Sequence, residues 1–149
     1  MKLISLAFCA TLVTTGAGVA QIGRTLEQCE AMYGAVLEKD VQGWHTFKKQ
    51  PYYVLVHFYN GKADAVQYLN WLSRPKAFTG VEIDSLLKQS ADGRWNLVDD
   101  GTEASMYVVK GFTAIHMKLD HILVVASDGY LERGIVAQSE AEAAKVKGL

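Results

Sequence analysis

The sequence predicts an α+β fold made of two related helix-plus-antiparallel-sheet halves, with the helices packed on one face of the sheet. Three observations carry this. A capping box followed by an apolar stripe occurs twice. Each is followed by short extended segments separated by Gly, Asn and Asp turn chemistry. A slide of 59 residues superposes Gly34 on Gly93, His57 on His116 and Val66 on Val125, and brings the Asn60-Gly61 turn close to Asp120.

Taken from the amino terminus, Met1-Lys2 and the apolar run Leu3 to Val13 have the basic start and hydrophobic core of a secretory signal. Gly18-Val19-Ala20 places small residues where signal peptidase reads, which predicts cleavage before Gln21, with Thr15-Gly16-Ala17 as a second site. The apolar core is shorter than the ~20 residues that span a bilayer. Phe8 before Cys9 also departs from a lipoprotein signal, which wants a small residue there. The expected organisation is a signal peptide at 1–20, one domain over 21–138 with halves at about 22–73 and 78–136, and a helical tail over 139–149.

Without residues 1–20 the chain has 129 residues, enough for one domain with a hydrophobic core. It carries 14 basic and 16 acidic side chains with no polybasic stretch, which argues against nucleic acid as a partner. No stable membrane span is expected after cleavage. Cys29 becomes the sole thiol, so stability must come from packing, and its place on an apolar helix stripe predicts burial.

Thr25-Leu26-Glu27-Gln28 opens the first helix, Leu26, Cys29, Tyr33 and Val36 form its stripe, and Gly34 can end it. Strands are expected over 44–48, 52–59 and 62–72, with Asn60-Gly61 as a strong hairpin signal. The box Thr79-Gly80-Val81-Glu82 opens the second helix, carrying Ile83, Leu86 and Leu87 to a stop at Asp92-Gly93. Further strands are expected over 94–98, 104–110, 112–119, 122–127 and 130–136, with turns at Asp99-Asp100-Gly101, Gly111, Asp120-His121 and Asp128-Gly129.

The segment Gly23-Arg24-Thr25-Leu26-Glu27-Gln28-Cys29-Glu30-Ala31-Met32-Tyr33-Gly34 resembles the Gly-x-Thr-x-x-Gln…Leu-Gly start of small outer-membrane assembly lipoproteins of the BamE (SmpA/OmlA) type. Two helix-plus-sheet units in one exported chain look like the tandem arrangement of the beta-lactamase inhibitor protein. The chain also looks like a group of uncharacterised secreted bacterial proteins sharing Thr-x-x-x-Cys…Tyr-Gly and a later Asn-Gly-Lys hairpin, here Asn60-Gly61-Lys62. These resemblances imply a habit of binding other proteins through an exposed sheet.

A two-residue turn at Asn60-Gly61 predicts that Tyr59 pairs with Lys62, His57 with Asp64, Leu55 with Val66 and Tyr53 with Tyr68. The candidate binding set is therefore Tyr53, His57, Tyr59, Lys62, Asp64 and Tyr68 on one outer face, with aromatic and polar groups of the kind contact surfaces carry. The leading expectation is an exported, non-enzymatic binding or inhibitor-like module that engages a protein partner and needs no cofactor. A small hydrolase or metal-binding protein using His57 with Asp64 or His116 is the second reading, and a structural envelope component the third. No nucleophile elbow, His-Glu-x-x-His motif or phosphate-binding loop is present to specify a reaction.

Overall fold

Strand residues alternate between two environments, and this alternation decides which side chains can meet. The computed structural model describes residues 20–70, 76–135 and 137. The predicted signal up to residue 19, the end of the expected strand at 71–72, most of the connector and the tail at 139–149 lie outside these residues.

Helix α1 (Leu26–Tyr33) begins with both arms of the expected box: Gln28 N donates to Thr25 Oγ1 at 3.3 Å, and Thr25 N donates to Gln28 Oε1 at 3.0 Å. Gly34 ends it at φ +92°. Helix α2 (Gly80–Ser90) repeats the device with Thr79 and Glu82. The Thr79 N–H, donating to the Glu82 carboxylate at 2.7 Å, helps to hold that acid below its ordinary pKa.

The strands are β1 (Glu38–Lys39), β2 (Trp44–Lys49), β3 (Tyr52–Tyr59), β4 (Lys62–Asn70), β5 (Asn96–Asp100), β6 (Ala104–Val109), β7 (Phe112–Met117) and β8 (Ile122–Ser127). They form one antiparallel sheet in the order β1-β2-β3-β4-β8-β7-β6-β5. Two meanders thus meet at their last strands. The outermost strands are β1, two residues long, and β5, which is exposed throughout and irregular between Leu97 and Asp99. Asp99 and Asp100 belong to β5 rather than to the turn expected there.

Asn60 and Gly61 have φ of +50° and +76°, the left-handed values that a tight two-residue hairpin requires, and Tyr59 pairs with Lys62 as expected. The predicted register holds through Phe58 with Ala63 and fails at His57. A β-bulge makes His57 face Ala65, Leu55 face Gln67 and Val54 face Tyr68. Ala63 receives Gly23 N at its carbonyl and donates its own N–H to Arg24 O, both at 2.7 Å. The amino-terminal segment thereby borders β4 where β8 has ended.

Because a one-residue slip exchanges the faces of a strand, Tyr68 points into the core, where it is 1% exposed. Its hydroxyl lies 2.6 Å from Gln21 Oε1 and 2.9 Å from Ser90 Oγ, whose own O–H donates to Leu86 O at 2.7 Å. Two hydroxyl hydrogens cannot serve three contacts. Turning the Gln21 amide, whose Nε2 otherwise meets no acceptor, supplies the third.

The core joins Cys29 and Tyr33 of α1 and Ile83, Leu86 and Leu87 of α2 to Phe47, Val54, Val56, Val66, Tyr68, Leu123 and Val125 of the strands. Burial pushes the Cys29 thiol up to about 11, so at neutral pH it is a small hydrophobe and not a nucleophile. The first residues of the described chain close this core. Gln21 N and Ile22 N donate to Gln89 O and Ser90 O at 2.8 and 3.1 Å, satisfying carbonyls that end α2.

Residues 128–135 form a third helix, α3, where an eighth extended segment was expected over 130–136. Ser127 Oγ accepts from Tyr130 N at 3.2 Å, the geometry of an N-cap, so Asp128-Gly129 begin a helix instead of a hairpin turn. Tyr130 and Arg133 of α3 meet His57, Tyr59 and Asp64, whereas α1 and α2 meet the core that holds Val54 and Val56. Helices are therefore not confined to one face. Among the described residues, no helix is long and apolar enough to cross a membrane.

Candidate functional site

The bulge that removes Tyr68 from the expected set also turns Asp64 toward His57. His57 Nδ1 lies 2.5 Å from Asp64 Oδ1, with side chains only 15% and 13% exposed. The other carboxylate oxygen, Oδ2, accepts from Arg133 Nη2 of α3. The Arg133 guanidinium also sits over the Tyr59 ring, 3.7 Å from its centroid, a cation–π arrangement. Trp44 and Tyr130 complete an aromatic box around His57, with ring centroids 5.3 Å and 5.1 Å from the imidazole.

His57 Nε2 lies 3.1 Å from the Gln42 carbonyl oxygen. A carbonyl and a carboxylate both accept hydrogen bonds, so the two contacts at opposite ring nitrogens fix the orientation of the imidazole.

Of the expected set, His57, Tyr59 and Asp64 are brought together through Arg133. Tyr53 lies farther along the same face of β3, Lys62 is exposed at the hairpin turn, and Tyr68 is on the opposite face. The sequence reading missed Trp44, Tyr130 and Arg133. Ser127 was the available signal: read as an N-cap, it makes the following segment helical and sets Tyr130 and Arg133 three residues apart on one helix side.

The four histidines do not converge. His116 pairs with Leu123, contacts Phe78 and is buried in the core, so the 59-residue slide that equates it with His57 joins opposite faces. Burial lowers the His116 pKa, which favours its neutral form. His45 is buried against Phe58, and His121 stands at φ +55° before β8. Among the described residues, no three His, Cys, Asp or Glu side chains gather into a metal site.

Searches against protein-family models, curated proteins and solved structures find no match. The site must be read from its own chemistry.

Beyond the ionic cluster, the face bearing His57 carries two apolar rows set by strand register. Leu55, Val124, Ile115 and Met106 form one, interrupted by Gln67; Tyr53, Leu69, Ile122 and Met117 form the other. All keep contact with solvent: Met106 is exposed and the rest half-buried.

Asp64 is the joint of the ionic cluster, since its removal leaves both His57 and Arg133 without their anion. Asp64→Ala should cost about 2 kcal/mol, measured by urea unfolding, and Arg133→Met about half of that, because Arg133 is more exposed. A double-mutant cycle should return less than the sum. Strict additivity would mean that the contact contributes nothing.

Proposed function

We propose that the protein is an extracytoplasmic, non-enzymatic binding module that engages a protein partner with the sheet face bearing His57, Tyr59 and the two apolar rows. The observation carrying this reading is the pair of rows itself. Eight apolar or aromatic side chains in register, all touching solvent, with Gln67 among them and Lys62 and the ionic cluster at their border, have the make-up of a contact surface with a polar edge. The two contacts that fix the His57 ring support a positioning role in that surface.

Export is part of the proposal. Gln21, the first residue after the expected cleavage position, is 1% exposed and hydrogen-bonded through its backbone, which supports a mature chain that keeps it. Either cleavage position leaves residues 21–24 on the mature chain. The two-half architecture belongs here as well: a helix and a meander occur twice, and the meanders meet at β4 and β8, where Val66 pairs with Val125.

A photo-crosslinking residue placed at Ile115 tests the binding role directly. In envelope preparations of the producing cell it should give one adduct of defined mass, and the same residue at Val81, on the exposed side of α2, should not. Equal yields from both positions, or no adduct from Ile115, would remove the sheet face from consideration.

A further inference from the structure

Gln67 interrupts an apolar row at the middle of the sheet face. It pairs with Val124 across β4 and β8, the two central strands of the sheet. The residue is half-buried, and among the described residues its side-chain amide has no hydrogen-bond partner. A carboxamide carries both donors and an acceptor, so a second carboxamide facing it is a matching partner. Such a reciprocal pair forms wherever one residue lies beside a two-fold axis.

The charges at the borders of this face suit an axis in that place. Register sets Lys48 of β2 beside Tyr53 at one end of the rows and Asp99 of β5 beside Met106 at the other. Both are exposed, and neither has an ion pair among the described residues. A two-fold axis between β4 and β8, parallel to the strands, lays the β1–β2 border of one copy over the β5–β6 border of the other. Lys48 of each copy then faces the partner copy's Asp99. The two positions lie one row apart, about 7 Å, which a lysine side chain spans. An axis across the strands leaves these charges at opposite ends of the face.

Helix α3 favours the same axis. Tyr130 and Arg133 hold it over β2, β3 and β4, through Trp44, His57 and Asp64. The axis along the strands places the partner copy's α3 beside it, over β8, β7 and β6. A helix is about 10 Å thick, which is also about the spacing of sheets packed face to face, so both helices fit within one layer.

We propose that the partner of this face is a second copy of the chain. Two molecules stack sheet on sheet, with the Gln67 amides paired beside the axis, the apolar rows against each other and a Lys48–Asp99 contact at each end. This rests on the reading of the face as a contact surface and names its occupant.

Sedimentation equilibrium of the purified protein is expected to show a reversible monomer–dimer equilibrium. Gln67→Glu, which sets two carboxylates against each other at the axis, should raise the dissociation constant about a hundredfold at neutral pH. Lys48→Glu and Asp99→Lys, both at exposed positions, should each raise it about tenfold, and the doubly reversed protein should regain the original affinity. A protein that stays monomeric up to ~1 mM, a dimer indifferent to Gln67→Glu, or reversals that add rather than cancel would overturn the assignment. Capture from Ile115 separates this proposal from the reading beneath it. An adduct of twice the chain mass supports both, whereas a monomer in solution with an adduct to a different protein removes the self-pairing and keeps the contact surface.

Discussion

Replacing Tyr68 by Ser should remove about 3–5 kcal/mol of folding stability, the range for truncating a large ring in a packed core. The cause is twofold. The ring fills space among Val54, Val66 and Leu123, and its hydroxyl joins Gln21 to Ser90 across two elements. Tyr59→Ser, nine residues earlier on the paired strand, should cost about 1 kcal/mol or less, because Tyr59 is 46% exposed and chiefly supports Arg133. Urea unfolding of the two variants side by side checks the register directly. Under the unbulged hairpin both tyrosines would share the outer face and respond alike, so equal losses would contradict the bulge.

That contrast marks where the sequence stops being legible. The helix starts could be read because Thr25 with Gln28 and Thr79 with Glu82 satisfy backbone groups within four residues. The hairpin at Asn60-Gly61 could be read for the same reason, since its left-handed φ values are demanded by the turn alone. Burial of Cys29 followed from helical spacing. The bulge, however, accompanies hydrogen bonds that Ala63 accepts from Gly23 and donates to Arg24, about forty residues away along the chain, and no local pattern announces it.

The candidate site inherited this difficulty. His57 with Asp64 was identified as a pair, yet on the assumption of direct cross-strand pairing, whereas the contact exists because Asp64 is the extra residue of the bulge. Arg133 lies 69 positions from its carboxylate. Its role depends on α3, whose start at Ser127-Asp128-Gly129 competes with an equally good turn reading. Tyr68 was misplaced by one residue of register, which in a strand is the whole difference between core and surface.

The second large effect concerns the amino-terminal segment. A chain beginning at Thr25 should be less stable than one beginning at Gln21 by about 4 kcal/mol, at about 1 kcal/mol for each of four lost backbone hydrogen bonds. Those bonds run from Gln21 to Gln89, Ile22 to Ser90, Gly23 to Ala63 and Ala63 to Arg24, and they tie the end of α2 to β4. Tyr68 also loses Gln21. Paired denaturation curves of the two chains give the answer, and coincident midpoints would show that residues 21–24 lie on the fold without holding it.

The outer strands bear on how such a sheet can meet another chain. A strand edge with free N–H and C=O groups invites a foreign strand to add to it, the route to both peptide capture and fibril growth. Here one edge is two charged residues long, and the other is broken by an irregularity and carries Asp99 and Asp100, with Asp100 bound by Ser105 and Lys118. Neither offers a flat template. Among the described residues, the short charged edge and the irregular acidic edge both disfavour the addition of a ninth strand, so contact with another chain falls to the apolar face of the sheet rather than to its borders.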